Sequence, residues 1–231
     1  TGQMVYEVDL RHPTLMWMGA IESITGYTVD EFSMITLTTW QSMIHPEDQQ
    51  IAMAGLEDAA ADGDTFVVSY RIKTKFGGYI YVEDSGKLFK NPQGEIERLL
   101  GAIKNINDRK LAEIALRETT QKLSSLFESM NEPVVIGDLI YNELGEGIDY
   151  TIVDCNATFC QLTNLVKEEV LLCKASEVIP QNPGELLKVY TDVCRSGESK
   201  TFEYYSSEIE RYFVVSVHKI GARWFSSIAT D

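Results

Sequence analysis

Ser23-Ile24-Thr25-Gly26-Tyr27-Thr28-Val29-Asp30-Glu31-Phe32 returns later in the chain as Gln161-Leu162-Thr163-Asn164-Leu165-Val166-Lys167-Glu168-Glu169-Val170, 138 residues on. Threonine falls on threonine, glutamate on glutamate and apolar residue on apolar residue. Gly26 and Asn164 take the same place, and these residue types best tolerate the left-handed backbone after a helix end. Further echoes follow: Thr65-Phe66 with Tyr70 returns as Thr201-Phe202 with Tyr204 and Tyr205, Tyr81 as Phe213, and Asn105 as Asp231. The offset falls steadily to 126, as expected when two like folds differ by short loop deletions. A period this long marks two repeated domains, not a solenoid.

The chain has 231 residues, enough for two domains of roughly 100 residues, with 44% hydrophobic and 24% charged residues. Those are ordinary globular values. Its net charge of −15 divides as −7 over residues 1–104, +1 over 105–125 and −9 over 126–231. A field of that sign repels phosphate backbones and anionic lipid, so neither nucleic acid nor direct membrane contact is expected. No run of about 18 apolar residues and no charged-then-apolar leader occurs. A cytoplasmic location is expected, with any membrane anchor elsewhere in a longer parent. Cys155, Cys160, Cys173 and Cys194 all lie in the second half without a CxxC pair. They read as idle thiols in a reducing compartment rather than as a disulfide framework or a zinc site.

Met4 to Leu10 alternates apolar and polar residues as a strand does. Arg11-His12-Pro13-Thr14 turns the chain into a second strand, Leu15 to Met18, and short helices follow. Thr65 to Thr74 sets Phe66, Val68, Tyr70 and Ile72 on one face, reaches a Lys75-Phe76-Gly77-Gly78 turn and returns through Tyr79 to Glu83, a hairpin pattern. After Asn91-Pro92-Gln93-Gly94, Glu95 to Ile106 supplies another strand. The sequence therefore predicts an α+β fold in which each domain is a five-stranded antiparallel sheet with short helices on one face. Domain boundaries are placed at 1–107 and 126–231, with a helical linker at 108–125.

From Asp108 to about Met130, Ala112, Leu116, Thr119, Leu123, Leu126 and Met130 step alternately by four and three residues. Those are coiled-coil spacings. One reading is a continuous helix joining the domains and packing against a partner chain through Ala112, Leu116, Leu123 and Leu126; the other is a helix covering its own sheet.

Taken together, Ile24-Thr25-Gly26-Tyr27, His45-Pro46-Glu47-Asp48, the Tyr70-Arg71-Ile72 to Gly77-Gly78 hairpin and Gly101 through Ile106-Asn107-Asp108-Arg109-Lys110 resemble the PAS domain, a sensor module of signalling proteins. The second copy is similar to it through Asp154-Cys155-Asn156-Ala157-Thr158-Phe159, Lys167-Glu168-Glu169-Val170 and Phe202-Glu203-Tyr204-Tyr205-Ser206. Asp231 falls on the opening Asp of the PAC signature that ends many such domains. The resemblance implies a tandem PAS/PAC sensor region of a signal-transduction protein. It further implies a homodimer that relays a small-molecule cue through helices to an output domain of the same parent chain. That output would be a histidine kinase of a two-component system or a diguanylate cyclase.

The cofactor is unknown. Light sensors of this superfamily resemble Glu168 to Val178, but their adduct-forming cysteine would fall at Ala175, and Cys173 is two places away. Haem needs an axial ligand. His12 lies in a turn, His45 reads as a hydrogen-bonding helix-opening residue, and His218 sits in a strand where it touches a ligand, a partner or only its neighbours. Noncovalent flavin or a small organic ligand would use Tyr70 and Tyr81 in the first domain and Tyr204 and Ser216 in the second, covered by Trp40, Met43 and Ile44 from the helices. Asn156 and Phe159 complete the candidate set, Asn156 reading first as a helix cap. No phosphate loop, HExxH, nucleophile elbow or kinase signature is present. Asp48, Asp84, Glu168 and Glu169 stand in polar surroundings and read as exposed, so intrinsic catalysis is not expected. A purely structural dimerisation pair and a flavin or haem redox or gas sensor are the alternatives to a ligand-binding sensor.

Overall fold

The fold is that of a computed structural model describing residues 2–12, 14–179, 184–206 and 210–230. Pro13 of the expected first turn and Asp231 of the PAC signature lie outside the described residues. The chain divides into two compact units, Thr1–Arg117 and Glu118–Asp231.

The first unit runs β1 (Gln3–Asp9), β2 (Thr14–Gly19), α1 (Ile21–Thr25), α2 (Val29–Ser33), α3 (Leu37–Met43), a 3-10 turn (Pro46–Asp48), α4 (Gln49–Asp62), β3 (Thr65–Lys73), β4 (Tyr79–Lys90) and β5 (Ile96–Asn105). Its sheet has the order β2-β1-β5-β4-β3, with every pairing antiparallel. Alternation sends Met4, Tyr6 and Val8 inward from β1, and Phe66, Tyr70 and Ile72 inward from β3. The quoted stretch forms two short helices for local reasons. Gly26 ends α1 in the left-handed region at φ 79°. Thr28 then opens α2 in a capping box, its hydroxyl accepting from Glu31 N while its own N–H donates to the Glu31 carboxylate, which satisfies two otherwise orphan donors.

Helix α5 (Asn107–Ser129) is continuous over 23 residues, about 35 Å at 1.5 Å per residue. The Asn105 carboxamide accepts from Asn107 N at 2.9 Å at its start. Residues 111–126 are exposed throughout, so the reading in which this helix covers its own sheet does not hold. Among the described residues no helix is long and apolar enough to cross a membrane.

The second unit runs β6 (Val134–Tyr141), β7 (Gly147–Cys155), α6 (Ala157–Thr163), α7 (Lys167–Val170), α8 (Ala175–Val178), α9 (Gly184–Ser196), β8 (Lys200–Ser206), β9 (Arg211–Lys219) and β10 (Trp224–Thr230). Its sheet, β7-β6-β10-β9-β8, repeats the first one strand for strand. Asn164 closes α6 in the left-handed region at φ 55°, as Gly26 closes α1.

Hydrogen bonds fix the correspondence between the two sheets. Just past the second strand of each, Ala20 N donates to Gln3 O and Asn156 N to Val134 O, so Gln3 and Val134 are equivalent. Counting along uninterrupted ladders, Tyr6 opposite Gly101 corresponds to Gly137 opposite Phe225. Asp84, across from Ile103, corresponds to Val217, across from Ser227. Tyr70, across from Val82, corresponds to Phe202, across from Val215.

Candidate functional site

Three polar side chains meet on the covered, otherwise apolar face of the first sheet. The Tyr6 hydroxyl donates to both Asp84 carboxylate oxygens, at 3.1 and 3.2 Å, and the Tyr70 hydroxyl donates to Oδ2 at 2.7 Å. Asp84 is 5% exposed, a correction to the exposed position expected for it. The hairpin strand continues past Glu83 to Lys90, and Asp84 shares its inward face with Val82 and Leu88. Burial pushes the carboxyl up from 3.8 to about 6, while the two phenols act to lower it. Burial and the neighbouring carboxylate both raise the Tyr6 and Tyr70 hydroxyls well above the ordinary phenol value, so both remain donors. Tyr6 can lie flat across the sheet because its neighbour is Gly101, where a Cβ would come within 2.3 Å of its ring.

This cluster forms the floor of a cavity of about 190 Å³, reached by Trp17, Trp40, Ile44 and Val68 as well as by Tyr6, Tyr70 and Asp84. Helix α4 contributes Ala52, Met53 and Leu56 to its wall. Trp17 anchors the aromatic side, 5.3 Å from Tyr6 and 5.1 Å from Trp40 between ring centroids. The volume is below the ~300–1,000 Å³ of drug-sized pockets and close to the ~150 Å³ apolar cavity known to admit benzene. Chemically it can enclose one ring or a short chain and hold one hydrogen-bonding or charged group at Asp84.

Of the residues singled out in the first domain, Trp40, Ile44 and Tyr70 line the cavity. Met43 is buried in the core but is not among the lining residues. Tyr81 pairs with Arg71, and Tyr70 with Val82; strand alternation therefore turns Tyr81 to the opposite face, a correction. Tyr6, Trp17 and Asp84 were missed. The signal for Asp84 was available in Ile80, Val82, Asp84, Gly86 and Leu88, a continuous alternation interrupted by one acid.

In the second unit the corresponding positions are apolar. Phe225 lies over Gly137, where a Cβ would meet its ring at 2.5 Å, and stacks on Tyr190 of α9 at 4.0 Å and 19°. Tyr150 closes against both, at 5.2 Å from Phe225 and 5.6 Å from Tyr190. Phe159 and Tyr204 pack against this core. Ser216 and His218 do not: Phe213, Val215 and Val217 take the inward positions of β9. On the outer face Ser216 bonds Thr201 at 2.9 Å and His218 Nδ1 bonds Ser199 at 2.8 Å, so the ligand-facing placement of both is corrected. Asn156 is fully buried. Its Oδ1 accepts from Val134 N and Phe159 N, and its Nδ2 donates to Glu132 O, so it caps α6 and ties the unit's entrance together. A separate pocket of about 340 Å³ lies between Pro133, Thr158, Leu162, Phe213 and Ala229, at the edge of this core, with the Thr158 hydroxyl already donating to Met130 O at 2.6 Å.

His45, Glu47 and Asp48 bring potential metal-binding atoms within 4.8 Å of one another. Arg71 already supplies the cation there, bonding Asp48 at 2.8 and 2.7 Å and Glu47 at 2.8 Å. His45 Nδ1 accepts from Glu47 N at 3.3 Å, consistent with a turn-opening role. Among the described residues that line the first cavity none is histidine, so these offer no imidazole to a haem iron.

Comparison with known proteins matches the two units separately. Residues 14–103 match the family described as PAS fold, and residues 121–194 match the family described as PAS domain. The probable diguanylate cyclase DgcE of Escherichia coli is 29% identical over 100 residues, which cover 43% of this chain and 9% of that protein. A sensory box histidine kinase/response regulator structure from Burkholderia thailandensis is 27% identical with a TM-score of 0.48, covering 54% of this chain and 92% of that one. The N-terminal domain of a diguanylate cyclase with PAS/PAC sensor from Marinobacter aquaeolei is 20% identical with a TM-score of 0.42, covering 47% of this chain and 98% of that one.

Proposed function

The chain is a tandem of two PAS domains, and from that premise we propose that it is the sensory region of a signal-transduction protein in which the first domain receives a small-molecule cue. One observation supports this reading above the others: the first domain has a cavity of about 190 Å³ lined in part by a buried carboxylate, while aromatic rings occupy the centre of the second. The second domain then acts as a structural and relaying element. The cue can act only by favouring one arrangement of the protein over another.

The relay runs through α5 in a homodimer. In its support, Leu123 is 63% exposed and belongs to a four-and-three series with Leu116 and Leu126, the spacing of a coiled-coil seam. The output is a diguanylate cyclase or histidine kinase domain of a longer cytoplasmic parent, the cyclase favoured by the stretch shared with the Escherichia coli protein. The test is native mass spectrometry of the freshly purified chain with and without Ala52→Phe, which places a ring in the cavity wall. A stoichiometric added mass that the substitution abolishes supports a first-domain sensor. An added mass that survives it places the ligand elsewhere, and an apo mass together with no saturable binding of small apolar probes favours a purely structural pair.

A further inference from the structure

We infer that the first domain's cavity takes a small organic cation, a protonated amine bearing a short alkyl chain or one ring, with its ammonium group at Asp84. This rests on the reading of that cavity as a ligand site and specifies the ligand's chemistry. Among the described residues, the only hydrogen-bond donors at the buried Asp84 carboxylate are two neutral phenols, and none that line the cavity is lysine, arginine or histidine. A carboxylate withdrawn from water without a counter-charge is costly. An ammonium group brings both that charge and the N–H donors an acceptor-only carboxylate requires.

The walls fit the same chemistry. Tyr6, Trp17, Trp40 and Tyr70 present rings on the cavity's aromatic side, and ring faces attract cations. A volume of about 190 Å³ suits one ring or a short chain. The chain's net charge of −15 raises the local concentration of cations and lowers that of anions. The second domain, with its centre filled, has valine in place of Asp84, so this buried carboxylate accompanies the cavity rather than the fold.

The experiment titrates the full chain at pH 7.5 with butylamine, benzylamine and 2-phenylethylamine, each beside its alcohol and carboxylate counterparts. Calorimetry and NMR shifts of cavity residues report binding. The expected result is that at least one amine binds about tenfold or more tighter than its alcohol, equivalent to about 1.4 kcal/mol, with the carboxylate weakest. Asp84→Asn should erase the preference, and Tyr70→Phe, which keeps the carboxylate, should retain it. An alcohol or carboxylate binding as well as its amine overturns the cation assignment while leaving a ligand site in place. No saturable shifts with any of the nine compounds overturns both. The wild-type amine-to-alcohol ratio decides the matter even if Asp84→Asn does not fold.

Discussion

On the covered face of the first sheet stand Tyr6, Asp84 and Tyr70; at the same ladder positions of the second stand Gly137, Val217 and Phe202. The ring and the glycine have also changed places across the central strand pair, Tyr6 over Gly101 in one and Phe225 over Gly137 in the other. The two domains thus satisfy the same packing constraint, one glycine beneath one flat ring, from opposite strands. In the first, the ring carries a hydroxyl directed at an acid and lines a cavity whose wall includes α4 residues. In the second, the ring is apolar and Tyr190 fills that space. One backbone has been given a polar, hollow centre and a solid one.

The largest effect should come from moving the acid across. Val217→Asp places a carboxylate without a counter-charge at a fully buried position, across from Ser227, whose hydroxyl is already bonded to the Tyr190 phenol at 3.3 Å, and should cost the second domain about 3–5 kcal/mol. Urea unfolding followed through second-domain NMR resonances measures it; a loss below about 1 kcal/mol would mean that position can solvate a charge and the contrast is false.

The converse substitution tests the first domain through pH. Because Asp84 is raised from 3.8 to about 6, the native state keeps its proton where the unfolded chain has released it. Its ionisation therefore costs stability as pH rises from about 4 to about 6, and the cost persists above that. Asp84→Asn removes the dependence, so the stability of the variant relative to wild type should rise by roughly 3 kcal/mol between pH 4 and pH 7. A difference independent of pH would show an ordinary, solvated carboxylate.

A smaller loss is expected at the exchanged glycines. Gly101→Ala and Gly137→Ala each force a methyl against a ring and should each cost about 1–3 kcal/mol, in the first and second domain respectively. Combining Gly101→Ala with Tyr6→Leu should recover part of that loss in a double-mutant cycle, whereas simple additivity would mean the ring is not what excludes a side chain there. Least affected in stability should be Leu116→Asp with Leu123→Asp, within about 0.5 kcal/mol at concentrations too low for self-association, as for other exposed sites. Self-association by light scattering should nevertheless weaken, and an unchanged oligomer would remove α5 from the dimer.

The fold was legible where the physics is local. Gly26 and Asn164 marked the ends of equivalent helices because both tolerate positive φ, and alternation in Met4 to Leu10 and Thr65 to Thr74 marked strands. The candidate site was legible only in part. Trp40, Ile44 and Tyr70 reach the cavity, but Tyr81 falls on the opposite face, because the alternation that fixes the register runs on through Leu88, beyond the Glu83 at which the hairpin pattern ends. The same truncation left Asp84 looking like a surface acid. The echo of Thr65-Phe66 in Thr201-Phe202 is a likeness of residues out of structural register, since the ladders equate Phe202 with Tyr70. Register depends on pairings between distant strands, and neither composition nor local periodicity carries it.

The contrast between a hollow and a solid domain is tested most directly by methyl-resolved NMR of the full chain titrated with toluene. Saturable shifts are expected at Ile44, Val68 and Leu88 around the first cavity, with Leu139, Val215 and Val217 of the second core unmoved. Shifts confined to the second core, or saturable binding at neither, would contradict it.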